Sequence, residues 1–186
     1  MRLILLTVLV ALVAGFLTGG TLRDFPTIAT RWWWLALVGV AMQFVTEGGA
    51  LETPLLLGSF AVLLAFVVGN LRAPGFALVL LGLLLNAAVI TANQGMPVTR
   101  NALVASGQAD TLGELASDGD GQKHFLAGDD TPLLPLGDVI AIGSPIRQAV
   151  SIGDIFVHVG IGWFIVKAMR RRREPAPTME PGTAEV

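Results

Sequence analysis

The sequence contains no cysteine, which excludes disulfide bonds and thiolate metal sites and leaves the redox compartment open. Charged residues are also scarce, at 14% of the 186 residues. Soluble domains average about 25% charged residues. Hydrophobic residues make up 53% of the chain, and the mean hydropathy is +0.70. This balance argues against an ordinary soluble domain and predicts a polytopic membrane protein with one compact helical domain.

Several catalytic signatures are missing as well. There is no His-Glu-x-x-His zinc motif, and neither Ser144 nor Ser151 lies in a Gly-x-Ser-x-Gly elbow. No inverted repeat of the transporter type is visible, and five helices suit such a repeat poorly in a monomer. No basic groove accompanies the tryptophans at 32–34, so no nucleic-acid partner is expected. No cofactor is expected either.

Apolar runs predict an all-α bundle of about five transmembrane helices within an integral membrane domain at 1–170. We place the helices at 2–18, 32–46, 54–70, 75–92 and 148–169. Several runs approach the ~20 residues that cross about 30 Å of hydrocarbon. The run Leu3–Leu17 has the length of a signal peptide but no Ala-x-Ala cleavage site, so an uncleaved helix is expected. Gly15 and Gly19 form a small-xxx-small pair, which is expected to admit a neighbouring helix.

The basic residues predict how the chain is oriented. Under the positive-inside rule, Lys167 and the arginines at 170–173 place the C-terminus in the cytoplasm, and this cluster could also bind anionic lipid. Five helices then place the N-terminus and the segment 96–147 outside. The proline-rich end at 171–186 is expected to be a disordered cytoplasmic tail.

The segment 96–147 interrupts the helical pattern. Thr99 is a candidate N-cap for a short helix at Pro97–Ser106. Because residues 130–142 are too apolar to remain in water, we expect them to lie on the bundle as a lid. A docking surface is the alternative role for this segment.

Ionisable residues occur on the last predicted helix, where membrane burial makes them costly. Ser151, Asp154 and His158 are spaced at i, i+3 and i+7 and share one helix face. One interpretation is structural: Ser151 caps the helix, Asp154 is a first-turn acid, and His158 pairs with it across one turn. The other interpretation is a proton-responsive or ligand-binding pair.

Other polar residues are expected near the same end of the bundle. Asn86 and Asn93 share a face of the fourth helix and should point inward, either to pack helices or to orient a ligand. Lys123 with His124 could clamp an anionic head group or phosphate. A weaker alternative is a metal site, whose ligands would be His124, Asp138, Asp154 and His158. The candidate pocket therefore consists of Asn86, Asn93, Lys123, His124, Asp138, Ser151, Asp154 and His158.

Several short motifs resemble, in the same order, an uncharacterised family of bacterial five-helix membrane proteins known as the domain of unknown function DUF5317. These motifs are Gly15–Leu22, Asn86–Val98, Lys123–His124, Leu136–Ile140 and Ser151–Asp154. The resemblance covers about residues 1–170. It implies a bacterial plasma-membrane location and a shared polar pocket, but it implies no reaction.

Three functions stay open at this point. The first is an outward-facing pocket that binds or moves a small polar ligand or a lipid head group. The second is a structural or assembly subunit of an envelope complex, with a homo-oligomeric or envelope protein partner. The third is a membrane-embedded enzyme performing metal-assisted hydrolysis. The first is our leading hypothesis, and it makes the lipid bilayer and a small molecule or lipid the expected partners.

Overall fold

The computed structural model describes residues 2–23, 30–44, 52–117 and 123–170. The α-helices in these ranges are α1 (Arg2–Leu17), α2 (Trp33–Phe44), α3 (Glu52–Gly69), α4 (Phe76–Asn93), α5 (Arg100–Ser106), α6 (Leu112–Ser117) and α7 (Ile152–Met169). The strands are β1 (Met96–Val98), β2 (His124–Leu126), β3 (Ile140–Ile142) and β4 (Gln148–Val150). The predicted tail at 171–186 and the predicted end of the second helix at 45–46 lie outside the described residues.

All five apolar runs form helices, as predicted from hydropathy. The helices α3, α4 and α7 are each 18 residues long and apolar enough to cross a membrane. The helices α1 and α2 are apolar but shorter, at 16 and 12 residues. Large hydrophobic side chains remain exposed along the helices, including Leu5, Leu37, Leu81 and Trp163. An apolar outer surface of this kind suits contact with lipid rather than with water.

The predicted start of the last helix at 148 is wrong. Residues 148–150 form β4, which pairs antiparallel with β3 in a register that joins Ile140 to Val150 and Ile142 to Gln148. Helix α7 therefore begins at Ile152, directly after its N-cap Ser151. The backbone of residues 148–150 forms its hydrogen bonds with β3 rather than within a helix. Hydropathy alone does not distinguish a short apolar strand from the first turn of a helix.

The helices pack in the order α2, α3, α4, α7, α1, with α4 between α3 and α7. The main core lies between α3 and α4 and includes Leu56, Phe60 and Val89. From α7, Phe164 joins this core and stacks on Phe76, with 5.2 Å between ring centroids. Helix α4 is therefore the central element of the bundle.

Glycines allow α4 and α7 to approach closely. A Cβ atom at Gly82 would overlap the main-chain oxygen of Gly153, and one at Gly75 would overlap that of Gly160. Backbone contact of this kind is typical of small-residue interfaces between membrane helices.

The predicted glycine pair in the first helix is only half correct. Gly15 does lie against a neighbouring helix, where Met169 of α7 fills the space that a side chain would need. Gly19 lies beyond the end of α1, has φ +79°, and has no atom near its Cβ position. Gly20 makes the second close approach instead, also to Met169.

The bundle has two chemically different ends. At the end we call the loop end, the segment 96–150 contacts the starts of α1 and α3 and the end of α4. For example, the Arg2 guanidinium donates to the Ile146 carbonyl at 3.5 Å. At the opposite end, which we call the basic end, the Thr21 amide donates to the Met169 carbonyl at 2.8 Å.

The segment 96–147 is largely folded in the described residues. Thr99 caps α5 by accepting a hydrogen bond from the Ala102 amide, so that prediction is confirmed. The helix begins at Arg100 rather than at Pro97, because residues 96–98 form β1 and pair in parallel with β2. A small core of Val98, Leu103 and other residues holds the segment together.

Candidate functional site at the loop end

The start of α7 is closed by a capping box. The Ser151 hydroxyl oxygen accepts from the Asp154 amide at 2.9 Å, and the Asp154 carboxylate accepts from the Ser151 amide at 3.1 Å. Two free amides of the first helical turn are thereby satisfied by side chains. The predicted cap and first-turn acid are confirmed.

Asn86 joins this box from α4. Its side-chain amide donates to the Asp154 carboxylate at 2.7 Å, and its side-chain oxygen accepts from the Ser151 hydroxyl at 2.9 Å. Asn86 and Ser151 are both buried. Gly153 makes the contact possible, because a Cβ at that position would overlap the Asn86 side chain. The three polar side chains satisfy one another and tie α4 to α7.

His158 does not pair with the Asp154 carboxylate. Its ring nitrogen Nδ1 lies 2.6 Å from the Asp154 main-chain oxygen, one turn back along α7. A carbonyl oxygen only accepts, so Nδ1 carries the proton in this contact. The two residues share a helix face as predicted, but their side chains have different partners.

Asn93 lies apart from this network. Its side-chain amide donates to the Val89 carbonyl of its own helix and to the Pro132 carbonyl of the 96–147 segment, both at 2.9 Å. Asn93 therefore fastens the loop segment to the end of α4. The two asparagines act at different places although they share one face.

Lys123 binds the bundle rather than facing solvent alone. Its ammonium group donates to the Gln43 carbonyl at the end of α2, and its amide donates to the Glu52 carboxylate at 3.2 Å. Burial lowers the pKa of Lys123, and the Glu52 carboxylate partly opposes this change.

Glu52 is a residue that the sequence interpretation missed. It is 7% exposed and begins α3, two residues before the predicted helix start at 54. Its position two residues before Pro54 was the available signal, because prolines and acids are both favoured in the first turn of a helix.

His124 and Asp138 meet across strand β1. Strand β2 pairs His124 with Met96, and an isolated bridge pairs Asp138 with Val98. The His124 Nε2 atom lies 3.7 Å from the Asp138 Oδ2 atom, which is longer than a hydrogen bond. The other oxygen, Oδ1, is buried and has no hydrogen-bond partner among the described residues. Buried acceptors without a partner are rare and costly, so this oxygen marks a place for a donor.

The electrostatic surroundings favour the neutral form of both side chains. Burial, followed by the negative charge of Asp154, raises the pKa of Asp138 to about 8. Desolvation, followed by the Lys123 cation, lowers the pKa of His124, against the opposing charges of Asp154 and Glu52. The His124 side chain keeps 49% of its accessible surface, so its remaining hydration limits this lowering.

The metal alternative gains no support from these positions. Among the described residues, no group of three or more His, Asp or Glu side chains is arranged to hold a metal ion. The four residues considered for it all lie within the described ranges. Their contacts instead separate them into the capping box, the His158 main-chain contact and the His124–Asp138 pair.

The candidate residues line neither of two clefts found among the described residues. A cleft of about 410 Å³ lies beside α1 and is lined by Arg2, Asp110 and Arg147 among others. A larger cleft lies at the basic end. The loop-end site is therefore a compact polar junction, and the case for ligand binding there depends on Asp138.

Comparison with known proteins gives one match. A model for a family of unknown function, DUF5317, matches residues 27–166 and so covers α2 to most of α7. No curated protein and no solved structure matches the chain.

Proposed function

This chain belongs to DUF5317, a family of unknown function, and we propose that it is a bacterial plasma-membrane protein that binds a small polar ligand at the loop end. The ligand group that suits the site best is a primary ammonium, carried by a small amine or by a lipid head group. The observation that carries this proposal is the buried, unpaired Oδ1 atom of Asp138. An ammonium carries a positive charge and several N–H donors. The Asp138 Oδ1 atom has no donor beside it among the described residues.

The charges around Asp138 support a cation as the ligand. Asp154 is close enough to influence Asp138, and Glu52 influences the neighbouring His124. The Lys123 ammonium already donates a hydrogen bond to the Gln43 carbonyl. A bound cation would reduce the repulsion between Asp138 and Asp154, which is one cause of the raised pKa of Asp138.

A ligand would reach Asp138 past His124. The His124 ring contacts the carboxyl group and keeps half of its surface accessible. The Asn86 and Ser151 side chains are hydrogen-bonded to one another and to Asp154. They hold the helices against which the site is built and are positioning residues in this proposal.

The test compares amine binding by the Asp138→Asn variant and an Asp130→Asn control, an exposed carboxyl of the same segment. The full chain is purified in detergent, and its thermal unfolding is followed with added ethanolamine, or with choline, which cannot donate hydrogen bonds. We expect ethanolamine to stabilise the wild type and the control more than choline does. Loss of one charge-assisted bond should weaken binding to Asp138→Asn by about ten- to one-hundred-fold.

A parallel arm identifies the source of the ammonium. Phosphatidylethanolamine in nanodiscs replaces the soluble amine, with phosphatidylcholine as its methylated counterpart. Selective stabilisation by the lipid alone would indicate a head group, and stabilisation by ethanolamine alone a soluble amine. If ethanolamine and phosphatidylethanolamine each stabilise the wild type and Asp138→Asn equally, the proposal is contradicted.

A structural or assembly subunit is the second candidate, and the closed network of Asn86, Ser151 and Asp154 favours it. Groups that satisfy one another hold helices together and need no ligand. If the chain folds normally and binds neither amine, this second function becomes the better explanation of the loop end.

A further inference from the structure

A large cleft lies at the basic end of the bundle, away from the proposed amine site. It has a volume of about 910 Å³, within the ~300–1,000 Å³ that is usual for small-molecule sites. The start of α2, the turn between α3 and α4, and the end of α7 surround it. Its charged lining consists of Arg31, Arg72, Lys167 and Arg170.

The charge of this cleft is uncompensated within its described lining. All four basic side chains are exposed, and no acidic side chain lies among the described residues that line the cleft. Like charges gathered in one concave surface repel one another and create a strong field for an anion. Thr30 and Asn70 add polar surface to the same lining.

The position of Arg31 is fixed by Asn70. The Arg31 amide donates to the Asn70 side-chain oxygen at 2.7 Å, and the Asn70 side-chain amide donates to the Arg31 carbonyl at 2.8 Å. The same amide also donates to the Phe66 carbonyl at 2.7 Å, which anchors it to α3. This reciprocal contact holds the start of α2 against the end of α3, although the two residues are 39 positions apart.

The Arg31 side chain is oriented as well. Its guanidinium carbon lies 4.3 Å from the centroid of the Trp32 ring, in a cation–π contact. The Trp32 ring itself packs over Gly69, where a Cβ would lie 3.1 Å from the ring. An arginine held at both its backbone and its side chain loses less entropy when it binds an anion.

We propose that this cleft binds a phosphate group, carried either by an anionic lipid head group or by a soluble phosphate ester. Phosphate oxygens match the planar donor fork of arginine, which binds them through paired hydrogen bonds. The cleft lies where three helices that are long enough to cross a membrane have their ends. At this position, both a lipid head group at the membrane surface and a dissolved phosphate ester can enter the cleft.

The test replaces two of the arginines and measures phosphate binding to the full chain. Arg31→Gln is combined with Arg72→Gln, and the matched control is Arg100→Gln, which removes an exposed arginine at the loop end. The soluble probe is glycerol 3-phosphate, measured by calorimetry in detergent. The lipid probe is phosphatidylglycerol against phosphatidylcholine, measured as lipid retained in native mass spectrometry.

We expect the double variant to bind about thirty-fold more weakly than the control, because each basic residue near an anionic surface contributes about a factor of five. If the double variant loses binding of the lipid probe alone, the cleft binds a lipid head group. If it loses binding of the soluble probe alone, the cleft binds a phosphate ester. Equal binding by the double variant and the control overturns the proposal, as does a wild type that binds neither probe.

A second variant keeps the test informative if the glutamine pair does not fold. Arg31→Lys with Arg72→Lys keeps the charge but removes the planar fork, so binding should weaken while remaining sensitive to salt. Binding equal to that of the wild type would contradict a role for the arginine forks. Because Asp138 is not involved, failure here leaves the amine proposal standing, and the reverse also holds.

Discussion

Asp138 and Asp154 are carboxyl groups at the same end of the bundle, but their hydrogen bonds differ. Both oxygens of Asp154 are used, one by the Asn86 amide and one by the Ser151 amide. Asp154 also lies in the first turn of α7, where the helix dipole favours a negative charge. Asp138 has a buried oxygen without a partner. These contacts favour the structural interpretation of Asp154, and the ligand-binding role is proposed for Asp138.

The raised pKa of Asp138 predicts a specific pH dependence of stability. The folded protein holds the Asp138 proton up to about pH 8, whereas the ordinary carboxyl value is 3.8. Between these values the folded state binds the extra proton, so its stability decreases as the pH rises. We expect the melting temperature of the wild type to fall between about pH 5 and pH 8, and that of Asp138→Asn to fall less.

The measurement is thermal unfolding in detergent across this pH range, with Asp130→Asn as the control. Asp154 is the charged group that raises the pKa of Asp138 after burial. His124 lies 3.7 Å from Asp138, and its own lowered pKa contributes a slope of the opposite sign in both proteins. The difference between wild type and Asp138→Asn isolates the Asp138 contribution. If the melting temperatures of the two proteins change equally with pH, the pKa of Asp138 is not raised and the prediction is wrong.

At the residue scale, the sequence predicted helix caps correctly but did not identify side-chain partners that are distant in the chain. The cap at Ser151 and the cap at Thr99 follow from residue types adjacent to each helix start. The contact of Asn86 with Ser151 joins residues 65 positions apart, and nothing local identifies the partner. The unpaired oxygen of Asp138 depends on the folded loop and could not be foreseen from sequence.

At the scale of elements, the contact between α4 and α7 depends on backbone approaching backbone. Gly82 faces Gly153, and Gly75 faces Gly160, with seven residues between the contacts on each helix. The antiparallel arrangement thus repeats the same close contact two turns apart. The capping box with Asn86 lies at the loop end of this same interface.

Gly82→Ala should therefore weaken the packing of α4 against α7. The added Cβ would overlap the Gly153 carbonyl oxygen and lie 2.9 Å from the Val157 amide nitrogen, and neither backbone atom can move alone. Overpacking of this kind costs about 1–3 kcal/mol. We expect a melting temperature several degrees below that of the wild type. Gly128→Ala is the control, because no atom lies near its Cβ position, and equal effects of both changes would rule out this close packing.

The elements also show what hydropathy can and cannot predict. It located the five apolar helices within a few residues, because lipid-facing and core-facing positions are both apolar. It failed at residues 148–150, where an apolar stretch forms a strand directly before a helix. It did not identify Gly82 and Gly153, since a glycine's role depends on the helix that it faces.

At the scale of the whole molecule, the two ends of the bundle differ in charge and in structure. The loop end contains the folded 96–150 segment and the buried acids Glu52 and Asp138. The basic end contains the three arginines and Lys167 that line the cleft described above. Under the positive-inside rule, this separation favours a cytoplasmic basic end and an external loop end. The amine and phosphate proposals would then concern opposite surfaces of one membrane.

Cysteine labelling tests this orientation, and the absence of native cysteine removes background. Single cysteines replace Asp129, an exposed residue at the loop end, and Leu71, which is 43% exposed at the basic end. With a membrane-impermeant maleimide added to spheroplasts, we expect labelling at position 129 and none at 71, because arginine-rich turns stay in the cytoplasm. Permeabilised cells should label at both positions, which checks that each thiol reacts. Labelling at 71 alone would reverse the bundle and place the Asp138 site in the cytoplasm, where soluble amines rather than external head groups become the ligands to test.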